Sequence, residues 1–89
     1  MSLEAISQQI GAIDARIVLL LAQRARLDRE AARLKQSLAQ IEVRDRQEQI
    51  IHQVRYVAEY QGISPGMVER IYRTIRAEFV AMENWEARL

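Results

Sequence analysis

Cysteine is absent, histidine and proline each occur once, and glycine occurs three times in 89 residues. Without cysteine the chain forms no disulfides and no thiolate metal sites, which agrees with a cytoplasmic location. A single histidine beside no cysteine leaves nucleophilic and metal chemistry poorly provided for. No glycine-rich phosphate loop, HExxH zinc signature, EF-hand pattern or Ser/His/Asp set occurs. Neither sign of charge dominates: thirteen basic and twelve acidic residues leave a net charge of +1, and no Lys/Arg cluster forms a one-sided stripe. Nucleic acid is therefore not an expected partner. No continuous run reads as long and apolar enough to span a bilayer, and Glu4 sits where a signal peptide would be basic, so no membrane partner is expected either.

What is abundant is apolar residues at helical spacing, 49% of the chain. Leu3, Ile6, Ile10, Ile13, Ile17 and Leu20, then Leu27, Ala31, Leu34 and Leu38, alternate steps of three and four. The pattern predicts a first helix of about 35 residues over 3–38, roughly 50 Å long. The fold class is all-α, a single domain of three helices with a long first helix. A chain this short buries only about 60 to 65% of its surface alone, so the seam is expected to finish its core against a second copy, as a homodimer. One position on the seam is charged: Arg24. A guanidinium there needs a carboxylate or phosphate partner, or a stem that packs while the head reaches water, and periodicity leaves both open. Lys35 follows eleven residues later on the same face, roughly 16 Å along the axis.

The apolar pattern breaks between Leu38 and Asp45, which predicts a short loop. Asp45 with Glu48 then suggests a capping box starting a second helix over 45–61, with Arg46 at its first position. Ile50, Ile51, Val54, Val57 and Ala58 form its apolar face, and Gly62 supplies a left-handed end. His52 reads as a surface residue. Ser64-Pro65 opens a third helix over 64–86. Its inner side is Val68, Ile71, Tyr72, Ile75, Phe79, Val80 and Met82. Glu83 recurs on that side: in water if the last turn frays, or desolvated, with a raised pKa and a proton to donate. Arg24, Lys35 and Arg46, with Glu83 as a possible acid, suit a pocket for a small polycarboxylate and an electrostatic catalysis without a covalent step.

The segment I-x-x-I-D-x-x-I-x-x-L-L-A-x-R from Ile10 to Arg24, the Lys35 that follows, and D-R-x-x-x-I-I from Asp45 to Ile51 resemble the all-helical, type II chorismate mutases. The resemblance covers nearly the whole chain. It implies an intertwined dimer whose long first helices pair, and conversion of chorismate to prephenate by a Claisen rearrangement with no cofactor. It implies that Arg24 and Arg46 hold the substrate's carboxylates. Lys35 would donate to the ether oxygen as the C–O bond breaks, and a protonated Glu83 would be the second donor. It also brings departures. Ser7 stands where an Arg usually reaches into the neighbouring subunit, and Val43 and Gln47 stand where acids often meet the ring hydroxyl. Arg76 replaces an apolar residue and Phe79 a small polar one beside Val80; either Arg76 supplies the missing cation or it is a surface residue. The changes at the ring keep two relatives open, a mutase for the 4-amino analogue of chorismate and an isochorismate-pyruvate lyase. A non-catalytic dimeric module on the same scaffold also stays open.

Overall fold

The computed structural model describes the backbone of residues 1–35 and 40–88 and the side chains of residues 1–34 and 45–82. The described chain is all-helical: α1 is Leu3–Lys35, α2 Gln40–Tyr60 and α3 Pro65–Arg88. It divides into two compact units, Met1–Ala31 and Ala32–Leu89.

The first unit is most of α1. Ser2 starts it: its Oγ accepts from the Ala5 amide at 3.0 Å, and its carbonyl accepts from Ile6 at 3.1 Å. That satisfies two amides at a terminus that would otherwise lack partners. The apolar seam is open along its length, with Ile10 53%, Ile13 56%, Ile17 49%, Leu20 56% and Leu27 71% exposed. Half-buried side chains of this unit include Leu21, Arg24, Asp28 and Ala31, of which Arg24 and Ala31 belong to the seam. The expectation that no segment is apolar enough to cross a bilayer is corrected here. Within Leu3–Leu34 an 18-residue window reaches a mean hydropathy of 1.4 with no more than two charged residues. Asp14 and Arg16 interrupt a continuous run but scarcely lower such an average, and a helix built to pair with another helix passes the same measure.

The second unit contains the antiparallel hairpin of α2 and α3. The predicted loop before Asp45 is corrected: α2 is already helical at Gln40, so Asp45 lies inside it and caps nothing. No Gly or Pro occurs between Gly11 and Gly62. Ile41 and Val43 lower helix propensity by only about 0.5 kcal/mol each, so a lapse in apolar periodicity did not mean a lapse in the helix. The predicted end of the first helix at Leu38 falls outside the described residues.

The turn between the helices follows its residues closely. Gly62 has φ of 76°, its amide donates to the Glu59 carbonyl at 3.1 Å, and the Ile63 amide reaches the Ala58 carbonyl at 3.0 Å. This is a Schellman ending, which needs the left-handed conformation that glycine adopts without strain. Ser64 then caps α3, its Oγ accepting from the Met67 amide at 3.2 Å, with Pro65 as the first helical residue.

Among the described residues the buried apolar side chains are Ile51 and Ala58, 7% and 2% exposed. Val54 on α2 and Val68, Tyr72, Ile75 and Phe79 on α3 are half-buried around them. Ile50 and Val57, expected on the inner face of α2, are 36% and 44% exposed; Ile71, Val80 and Met82 of α3 are 47%, 42% and 47% exposed. The hairpin therefore keeps a narrower inner stripe than the apolar pattern predicted, because one helix can cover only part of its neighbour's apolar arc.

Candidate active site

Glu48, Ile51, Arg55 and Ala58 follow one another at steps of three and four along the α3-facing side of α2. The two acidic and basic members reach across. Arg55 Nη1 donates to Glu69 Oε1 at 2.8 Å, Arg73 Nε donates to Glu69 Oε2 at 2.9 Å, and the Arg73 Nη atoms meet the two Glu48 oxygens at 3.4 and 3.5 Å. Hydrogen bonding from Arg73 is the main reason that the Glu69 carboxyl is held below its usual range; partial desolvation opposes it and Arg55 adds to it. Glu69 in turn, then Glu48, raises Arg73 against a smaller desolvation effect.

Sequence reasoning missed this chain of charges. Its Glu69–Arg73 step is an ordinary i,i+4 helix pair that spacing would have shown. Its cross-helix steps required the register of the hairpin.

That register also orders the candidate residues of the second unit. Continuing it from the Glu48–Arg73 pair sets Arg46 about level with Arg76, and Val43 with Phe79 and Val80. Arg46 and Arg76 are exposed and, among the described residues, make no hydrogen bond or ion pair. Gln47 is half-buried, one turn before Ile51 on the same side of α2, and Phe79 is half-buried on the inner stripe of α3. Arg55 and Arg73 are thus paired with carboxylates, whereas Arg46 and Arg76, among the described residues, are not. A shallow apolar hollow lined by Arg70, Ile71, Thr74 and Ile75 lies elsewhere on α3 and includes none of the candidate residues.

In the first unit, Arg24 is half-buried and engaged, and Ser7 is exposed. Lys35 is the last described residue of α1, and Val43 and Glu83 lie within α2 and α3, but the side chains of all three are outside the described residues. His52 is exposed, as its lone occurrence suggested.

The described chain is thus three helices, the first unusually long, each of which carries arginine. A family model described as Chorismate mutase type II matches residues 6–84, so the chain belongs to the type II chorismate mutase family. Comparison with curated proteins and with solved structures found no match.

Proposed function

We propose that the protein is a chorismate mutase that rearranges chorismate to prephenate as a homodimer, without a cofactor. The observation that carries this reading is the family match over residues 6–84, a stretch that includes Arg24, Lys35 and Arg46. In this reading Arg24 and Arg46 hold the two carboxylates in the reactive conformer. Lys35 and a protonated Glu83 donate to the ether oxygen as its bond to carbon breaks and the new carbon–carbon bond forms within the same molecule. Preorganised donors lower the barrier because charge grows where they already point.

The exposed seam of α1 supports the dimer. Covering Ile6, Ile10, Ile13, Ile17, Leu20, Leu27 and Leu34 against a second copy would contribute on the order of 10 kcal/mol per protomer. The pair together then exceeds an association cost of about 4 to 15 kcal/mol. The cysteine-free composition supports a cytoplasmic enzyme.

Ser7 provides no guanidinium, and Arg73 is held by Glu48 and Glu69; in this reading Arg76 supplies the missing carboxylate contact from α3, the alternative being a surface residue. Arg76→Ala is expected to raise KM by about one to two decades, the value of one charge-assisted contact of about 1.5 to 3 kcal/mol. An unchanged KM removes Arg76 from the site.

Val43 and Gln47, in place of acids at the ring, favour two further substrates as a second reading. Separate incubation with chorismate, 4-amino-4-deoxychorismate and isochorismate, with identification of the products, decides among them. Prephenate from the first supports the proposal, and turnover of only one of the others reassigns the substrate. No turnover of any leaves a non-catalytic dimeric module.

A further inference from the structure

Among its described side chains, α2 offers one buried apolar contact towards the end that carries the candidate site. Ile51 is the buried side chain closest to that end among the described residues, and Ile50 beside it is 36% exposed. Apolar contact is non-directional, so Ile51, Ala58 and the half-buried side chains around them resist separation of the helices more than rotation. The polar braces are directional. Glu48 meets Arg73 through both carboxylate oxygens, one turn towards the amino end from Ile51, and Arg55 meets Glu69 one turn towards the carboxyl end. Arg73 Nε joins the two braces by its 2.9 Å bond to Glu69. Two ties on one face of α2, seven residues apart and anchored on one Glu–Arg pair of α3, fix both rotation and height.

We propose that Arg73 is a positioning residue. Its guanidinium, shared between Glu69 and Glu48, sets the orientation from which Arg46 and Gln47 meet the substrate. The inference rests on the chorismate mutase reading for what is positioned, and on the ion-pair geometry for how.

A purely structural role does not account for the arrangement. The Arg73 and Glu48 side chains are 46% and 51% exposed, and exposed ion pairs contribute little to stability. Orientation is different, because displacement of a substrate-holding group by about 1 Å can cost roughly a hundredfold in rate. Arg46 is adjacent but one to Glu48 and has no other tie among the described residues. A small roll of α2 therefore moves it freely.

The test is a double-mutant cycle in the full-length protein: Glu48→Ala, Arg73→Ala and the pair together, with kcat and KM for chorismate and the thermal unfolding midpoint of each. Positioning through a shared tie predicts that each single variant and the double variant lose about the same tenfold in kcat/KM, with kcat falling and unfolding midpoints close to the parent's. Arg73→Lys, which keeps the charge without the planar fork, is expected to retain a loss of about threefold or more. Single variants within twofold of the parent, or a double variant equal to the product of the singles, overturn the inference. So do losses that follow the unfolding midpoint. Amide hydrogen exchange at residues 46–48 of the ligand-free protein is the second readout, expected to quicken by about tenfold in all three variants. If the parent rearranges no chorismate, the functional reading fails, and unchanged exchange at those amides then overturns the positioning claim by itself.

Discussion

Along α1 the apolar side chains of the seam from Ile10 to Leu27 lie between 49% and 71% exposed, whereas on α2 Ile51 and Ala58 fall to 7% and 2%. The apolar spacing of the two helices differs little. What differs is the partner: α2 has an antiparallel neighbour joined by a turn that Gly62, Ser64 and Pro65 make tight, and its side chains are covered within the chain. The two regions also treat charge differently. In the hairpin Glu48, Arg55, Glu69 and Arg73 pair with one another across the helices, while α1 places Arg24, itself engaged, on a seam that is otherwise apolar. A region that closes its own core can brace itself with surface ion pairs, whereas in the proposed dimer the open apolar face of α1 is completed by a second copy.

The sharpest way to break this contrast is to charge the open face. Ile17→Glu with Leu20→Glu is expected to abolish the dimer in sedimentation or size-exclusion measurements and, with it, all activity. The same change at exposed Tyr60 of the hairpin, 80% exposed, should leave both intact. A dimer that survives charge on α1 would show that its seam is not the interface. Next in size is the chemistry: Lys35→Ala is expected to lower kcat by about a hundredfold or more while KM changes little, whereas Arg24→Ala should damage both. Equal and small effects would place the site elsewhere.

Glu83 gives a pH test of intermediate size. In the proposed role Glu83 donates only when protonated, so the rate should fall about tenfold per pH unit above its titration, and Glu83→Gln should flatten the profile. A parent rate that is level from acid to alkaline pH contradicts its role.

The smallest effect concerns the braces. The Glu69 carboxyl titrates below its unfolded value, so its contribution to stability is present above the ordinary carboxylate range and is lost as pH falls through the folded value. Acid unfolding of Glu69→Gln should therefore lack that part of the decline seen in the parent. Parallel stability curves would mean that the braces carry no linkage to pH.

Much of this was legible before any coordinates. Ser64-Pro65 and Gly62 marked the turn, because cap and turn chemistry acts over three or four residues and is written locally. The seam from Leu3 onwards marked one long helix for the same reason. Asp45 was misread: its spacing to Glu48 satisfies a capping box, yet α2 is already helical at Gln40 and runs unbroken to Tyr60, and Glu48 pairs with Arg73 instead. The candidate cations were legible as residue types only. Arg46, Arg73 and Arg76 look alike in a sequence, and the fact that Arg73 is committed while the other two are not depends on which carboxylates the folded hairpin carries to them.

The order of apolar residues, one cap and one glycine determined by themselves that this chain is three helices, where the last two meet, and that Arg24 interrupts a seam. Only the tertiary structure decided which arginines of the hairpin pair with carboxylates across it. Helix formation and capping depend on neighbours along the chain, but an ion pair 25 residues apart depends on a register that no local rule contains.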